Sequence, residues 1–197
     1  MNIVGLGGNG CYFVSNIKNS IAINDCVNSL YSCEGKTILC CDKAKLDGKN
    51  CSTLPPICPA DSNQRNKLVS FINAKRNLKL DLFENQTNVL IFSLGGGFGS
   101  TVAQYITTHT NSKNIIIATY PKNNELKETQ NANESLEDIK ADLFIIFYLE
   151  DLLKKHTIQE IDEKIIGHIK NLNEEKINEL QKQKKIEIKL FEDMIKN

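Results

Sequence analysis

The sequence has no charge imbalance, no long apolar run and no closely paired cysteines, and each lack excludes something. In its 197 residues, 24 lysines and arginines offset 24 aspartates and glutamates. That balance removes the usual electrostatic basis for holding a nucleic acid. No stretch approaches the roughly 18 apolar residues that a membrane-spanning helix needs. The first ten residues lack the basic start and apolar core of an export signal, which points to a cytoplasmic protein. Seven cysteines (11, 26, 33, 40, 41, 51 and 58) crowd the first third of the chain. An odd number without an export signal argues against a disulfide framework. None stands at the CxxC spacing of a zinc site, so no metal ligands are assigned and the thiols read as small apolar packing groups. Arginine is scarce, at 2 residues against 22 lysines, a bias from which no function follows.

What is present is an alternation of apolar strands with helical stretches. Strands are expected over residues 2–5, 37–41, 88–93, 114–119 and 142–148, and helices over 11–19, 64–83, 100–109 and 135–140. VLIFS, IIIAT and LFIIFY are near-continuous apolar runs, the pattern of strands buried on both faces. Strand–helix alternation predicts an α/β fold with a doubly wound, mostly parallel sheet, whose ligands lie beyond the carboxyl ends of the strands. From Ile158 onward, apolar residues recur at three- and four-residue steps through Leu172, and a Lys/Glu-rich stretch follows. This predicts a long C-terminal helix, or two in series, whose apolar stripe serves the core or a partner. Two units are therefore expected, residues 1–157 and a helical segment 158–197. His109, His156 and His168 fall on expected helices as surface or capping residues.

Two glycine-rich turns follow strands. The first, Gly5-Leu6-Gly7-Gly8-Asn9-Gly10, opens the first helix and brings backbone N–H groups and a helix dipole toward an anion. By itself it fits the GxGxxG pattern, shared by dinucleotide and adenylate sites. The second, Leu94-Gly95-Gly96-Gly97-Phe98-Gly99-Ser100-Thr101, has four glycines in five positions. A tight turn needs one or two, whereas a phosphate cradle needs many, because side chains would block the amides.

This pair of loops resembles the GTPase domain of the tubulin/FtsZ superfamily. IVGLGGNGCYFVSNI is similar to the opening of FtsZ around its first glycine loop, and VLIFSLGGGFGSTVAQYI to the GGGTG[ST]G signature with its strand and helix. ILCCDKAKL resembles the family's second strand and loop, with Asp42 as the acid. IIIATYPKNNE resembles the ribose-contacting loop, and SLEDIKADLFIIFYLEDLL the segment leading to the guanine pocket. The resemblance covers residues 1 to 155.

It implies phosphate contacts at Gly7, Gly8, Asn9, Gly10 and Cys11, and at Gly95, Gly96, Gly97, Phe98, Gly99 and Ser100. It implies ribose or base contacts at Tyr12, Glu125 and Asp162. The implied ligands are GTP or GDP, with Mg2+ arriving on the phosphates. Implied partners are further copies of the chain or a full-length relative in a filament. Departures from the family are equally specific. Phe98 replaces a threonine and Thr101 a glycine, with Ser100 and Thr101 offering hydroxyls. Tyr12 replaces an asparagine, and Thr129 a phosphate-facing arginine, with Lys127 nearby. The γ-phosphate-sensing region reads STLPPICPADSNQ, and the base-reading position reads Leu149-Glu150-Asp151. The family's second domain, with the carboxylates that position the attacking water, has no counterpart here, so hydrolysis is expected to be slow or partner-dependent. Two other readings stay open. One is a non-catalytic module that regulates or caps a full-length polymer; the other is a Rossmann-type NAD- or ATP-binding enzyme.

Overall fold

The computed structural model describes residues 1–40, 75, 77–189 and 191. Cys41, Cys51, Cys58, Asp42, the 52–64 sensing region and most of the expected 64–83 helix lie outside those residues.

Seven strands form one parallel sheet: β1 (Asn2–Leu6), β2 (Ser20–Asn24), β3 (Lys36–Leu39), β4 (Thr87–Ser93), β5 (Lys113–Tyr120), β6 (Leu143–Tyr148) and β7 (Lys185–Ile188). Their order is β3-β2-β1-β4-β5-β6-β7. The helices are α1 (Gly7–Val14), α2 (Gly97–His109), α3 (Leu126–Asp138), the short α4 (Leu149–Leu152), α5 (Ile158–Lys170) and α6 (Glu174–Leu180).

The apolar strands are explained by two cores, one on each face. Val89 and Ile91 of β4, with Ile115 and Ile117 of β5, pack with α1, α5 and α6 through Phe13, Val14, Ile161, Ile165, Ile169 and Ile177. The alternate residues Leu90, Phe92, Ile116 and Ala118 pack with α2 and α3 through Val102, Ile106 and Ala132. A strand covered on both faces keeps no polar side, so the doubly wound expectation holds. The order reverses between β1 and β4: one half of the chain winds outward to β3 and the other to β7. The carboxyl ends of β1 and β4 therefore flank the crevice where such sheets take their ligands.

The long C-terminal helix is corrected. The chain beyond Thr157 forms α5, α6 and then β7, which pairs in parallel with β6. Helix α5 begins where expected, on a capping box in which the Thr157 side chain accepts the Glu160 N–H and the Glu160 carboxylate accepts the Thr157 N–H. It stops at Asn171, and Asn173 caps α6 by accepting the Lys176 N–H at 2.8 Å. In β7, Ile186 and Ile188 are buried while Lys185 and Glu187 face solvent. That is the two-residue period of a strand covered on one face, which the surrounding lysines and glutamates disguised as helix.

Strand β2 is a second correction. It lies between β1 and β3, so the segment read as the second strand is the third. Helices α1 and α2 start four and three residues earlier than expected, inside the glycine loops, and α3 covers 126–138 rather than 135–140. His168 is not a surface residue: burial, with Lys176 adding to it, holds its imidazole at about 4, and its Nε2 is enclosed.

Candidate functional site

Both glycine-rich turns open into one cleft of about 580 Å³ at the carboxyl ends of β1 and β4. Leu6, Gly7, Gly8 and Asn9 line one side, and Gly95, Gly96, Gly97, Phe98 and Gly99 the other. Behind these walls stand the N-termini of α1 and α2, and neither carries a side-chain cap on its N–H groups. A helix cannot satisfy its own first N–H groups. Those of Gly7, Gly8 and Asn9, and of Gly97 and Gly99, are accordingly presented at the cleft. Two helix dipoles converge there with their positive ends.

The glycines divide by physical role. Gly7 has φ +72°, a conformation that side chains resist. A Cβ at Gly10 would lie 2.1 Å from the Ile91 carbonyl oxygen, so glycine there lets α1 sit directly on β4. A Cβ at Gly99 would lie 2.8 Å from the Leu6 oxygen, which brings α2 against β1. At Gly95 it would lie 2.8 Å from the Glu128 Cβ. Glu128, in the first turn of α3, thus rides on the second loop, and the Asn131 amide donates to the Gly95 carbonyl at 3.3 Å. Gly8 is different: it is exposed, and a Cβ would meet only the Ser29 hydroxyl, at 3.7 Å.

Of the residues expected at the phosphates, Gly7, Gly8, Asn9, Gly95, Gly96, Gly97, Phe98 and Gly99 line the cleft, and Gly10, Cys11 and Ser100 do not. Gly10 and Cys11 fall within the helical ladder of α1. The Cys11 thiol is buried, directed at the Gly5 and Ile23 carbonyls, and burial with Cys33 beside it pushes its pKa up. The Ser100 hydroxyl donates to the Gly96 carbonyl at 2.5 Å and that of Thr101 to Gly97 at 2.6 Å. Both hydroxyls are spent on the helix rather than offered to a ligand. The Asn9 amide donates to the Thr119 hydroxyl at 3.4 Å, tying the first loop to the end of β5.

Glu125 lines the cleft, its carboxylate accepting the Lys122 N–H at 2.9 Å. Tyr12 and Asp162 sit apart from the lining. The Tyr12 hydroxyl donates to the Asp162 carboxylate, linking α1 to α5, while burial raises the Asp162 pKa. Asn24, Cys26, Ser29, Pro121 and Glu128 also line the cleft and were not anticipated, while Leu149, at the position the resemblance gives to base reading, lines it as well. Asn24 ends β2, and Cys26 and Ser29 follow it, so recognising SIAIN as a strand was the signal that would have placed them.

A larger, more open concavity of about 800 Å³ lies at the opposite end of the sheet, around Met1, Asn85, Lys113, Asp142 and Glu174. Its charges are engaged. The Lys113 ammonium donates to Asn178, the Asp142 carboxylate accepts the Asn114 N–H, and Glu174 faces the N-terminal amine at 3.9 Å. The smaller cleft carries two helix N-termini without side-chain caps and stands at the strand ends that parallel sheets use, so it is the candidate site.

No protein-family model and no curated protein matches the sequence. Solved structures do. The GDP-bound monomer of CetZ1 from Haloferax volcanii superposes with a TM-score of 0.64 at 15% identity, over 91% of this chain and 63% of that one. CetZ from Methanosaeta thermophila gives 0.56 at 17%, over 85% and 50%. The monomeric subunit of TubZ from bacteriophage PhiKZ gives 0.57 at 16%, over 85% and 58%. CetZ and TubZ are proteins of the tubulin/FtsZ superfamily.

This chain has the tubulin/FtsZ fold.

It spans between one half and two thirds of the length of these neighbours.

Proposed function

We propose that the chain binds a guanine nucleotide in the cleft between its two glycine loops, as a tubulin/FtsZ-type nucleotide-binding protein. The observation that carries the reading is the convergence of two uncapped helix N-termini on one cleft at the switch point of the sheet. Two sets of N–H groups at helix N-termini suit a polyphosphate, and the exposed backbone at Gly8 lets it approach closely. In this reading the phosphates lie on Gly7–Asn9 and Gly97–Gly99, and Glu125 takes the ribose hydroxyls. Tyr12 and Asp162, outside the cleft lining and bonded to each other, are assigned to the base beyond the cleft's edge. Residues 1–157 carry most of the nucleotide contacts, and α5, α6 and β7 complete the sheet and the layer that covers it.

Magnesium fits these residues as a companion of the phosphates. The charged side chains lining the cleft among the described residues are both carboxylates, Glu125 and Glu128, the hard oxygen donors that Mg2+ favours. Among the described residues no group of three or more His, Cys, Asp or Glu side chains would hold a metal by itself, so the phosphates must supply the remaining ligands. Bound there, the ion neutralises phosphate charge.

Phosphoryl transfer also needs a positioned water. In this reading Glu125 takes the ribose and Glu128 lies beside the phosphates, so no described lining carboxylate is left to orient a water and hydrolysis by this chain alone is expected to be slow. CetZ2 from Haloferax volcanii is a GTPγS-bound protofilament, and PhiKZ TubZ also forms a protofilament. These neighbours support self-association, or co-assembly with a longer relative, as the setting for a cytoskeletal role.

One observation favours a second reading, a domain that keeps the fold without binding nucleotide. Phe98 places a ring, buried to 2% exposure, in the loop where the family carries a threonine. Thermal unfolding of nucleotide-free protein with GTP, GDP, ATP and NAD separates the readings. A shift with guanine nucleotides supports ours, no shift supports the non-binding module, and a shift with NAD or ATP alone revives a Rossmann-type enzyme.

A further inference from the structure

The charge of the cleft has the wrong sign for a bare polyphosphate. No lysine or arginine is among its described lining residues, and two glutamates are. Glu125 has its partner in the Lys122 amide. Glu128 is half-buried, has no hydrogen bond or ion pair among the described residues, and packs over Gly95 at the centre of the second loop. Thr129, at the position of the family's arginine, turns its hydroxyl to the Lys122 carbonyl at 3.3 Å. The cleft thus offers amides for the phosphates while keeping a free carboxylate beside them.

We infer that Glu128 is the residue that sets this site to accept a nucleotide as its divalent-cation complex and to reject the free anion. The inference rests on the nucleotide reading above. Without a cation, the half-buried Glu128 carboxylate and the phosphates repel each other across the cleft. With one, the carboxylate and the phosphate oxygens face the same positive charge, the arrangement in which Mg2+ is commonly held by one carboxylate plus substrate phosphates. The competing explanation is that an acidic residue in a first helical turn simply stabilises the helix. That effect stabilises α3 equally with and without magnesium, so the two explanations part on cation dependence.

The test is equilibrium binding of a fluorescent N-methylanthraniloyl derivative of GTP, in chelator and in magnesium, to the wild type, Glu128→Gln and Glu128→Asp. Wild-type affinity should rise on adding magnesium by about 30-fold or more, the equivalent of about one half-buried charge contact. In Glu128→Gln the ratio should fall to about threefold, with binding in chelator strengthened and binding in magnesium weakened. Glu128→Asp, which keeps the charge, should retain most of the wild-type ratio. An unchanged ratio in Glu128→Gln overturns the inference while leaving the nucleotide site standing. Loss of binding by Glu128→Gln in both conditions, at an unchanged melting midpoint, also overturns it. A wild type that binds in neither condition defeats the nucleotide reading itself, and this inference with it.

Discussion

Gly8→Asp separates the phosphate cradle from the packing that surrounds it. Gly8 lies in the first turn of α1, exposed, and a Cβ added there would have only the Ser29 hydroxyl within 4 Å. An acidic side chain in a first helical turn is worth about 0.3–1 kcal/mol, and replacing a helical glycine adds a few tenths. The fold should therefore gain up to about 1 kcal/mol, a midpoint rise of about 1–4 °C for a chain of this length. The new carboxylate would sit at the amides that the phosphates need. Magnesium GTP at 100 times its Kd should stabilise the wild type by about 2.7 kcal/mol, or about 5–10 °C, and Gly8→Asp by less than about 1 °C. The contrasting variant is Gly10→Ala, whose Cβ would stand 2.1 Å from the Ile91 carbonyl oxygen. It should cost about 3 kcal/mol or more, because a backbone oxygen of a central strand cannot move aside. Scanning fluorimetry of the three proteins, with and without nucleotide, reads all of these values. A Gly8→Asp protein that folds and keeps the full nucleotide shift would refute the placement of the phosphates.

Other perturbations test the parts that support the site. His168 is held at about 4 by burial, below the 6.5 of an exposed histidine, so the unfolded chain takes up its proton first as pH falls. The corresponding stability, about 3 kcal/mol, is present above pH 6.5 and is lost as pH falls toward 4; urea midpoints across that range should flatten in His168→Leu. Ile188→Ala should cost about 2–5 kcal/mol, since Ile188 is buried in β7, whereas a residue on a solvated helix would cost almost nothing; chemical denaturation measures it. Glu128→Gln should collapse the magnesium dependence of nucleotide binding, read by fluorescence titration in chelator and in magnesium.

The parts of the fold legible in the sequence are those where the local pattern and the tertiary setting agree. VLIFS and LFIIFY are apolar throughout because cores cover both their faces, and each belongs to a strand of the sheet. The glycine loops are legible because four glycines in five positions exceed what a turn requires. The remainder depends on neighbours that a linear reading does not supply. Ser20–Asn24 has only the three-residue apolar run Ile21-Ala22-Ile23 and Lys185–Ile188 has none, and both become strands by pairing with β1 and β6. Gly10 and Cys11 belong with the phosphate loop by proximity in sequence alone. In the fold, α1 starts at Gly7, and both residues turn into the packing beneath the cleft. Glu128 carries no signal in the sequence because its importance lies in packing on Gly95, 33 positions earlier in the chain, and not in any local motif.

The central claim is most directly tested by titration calorimetry of the protein, first stripped of bound nucleotide, with GTP in magnesium. The expected result is saturable binding at one nucleotide per chain, lost in Gly8→Asp while that variant unfolds at or above the wild-type midpoint. Absence of binding by the folded wild type, or equal binding by Gly8→Asp, would contradict it.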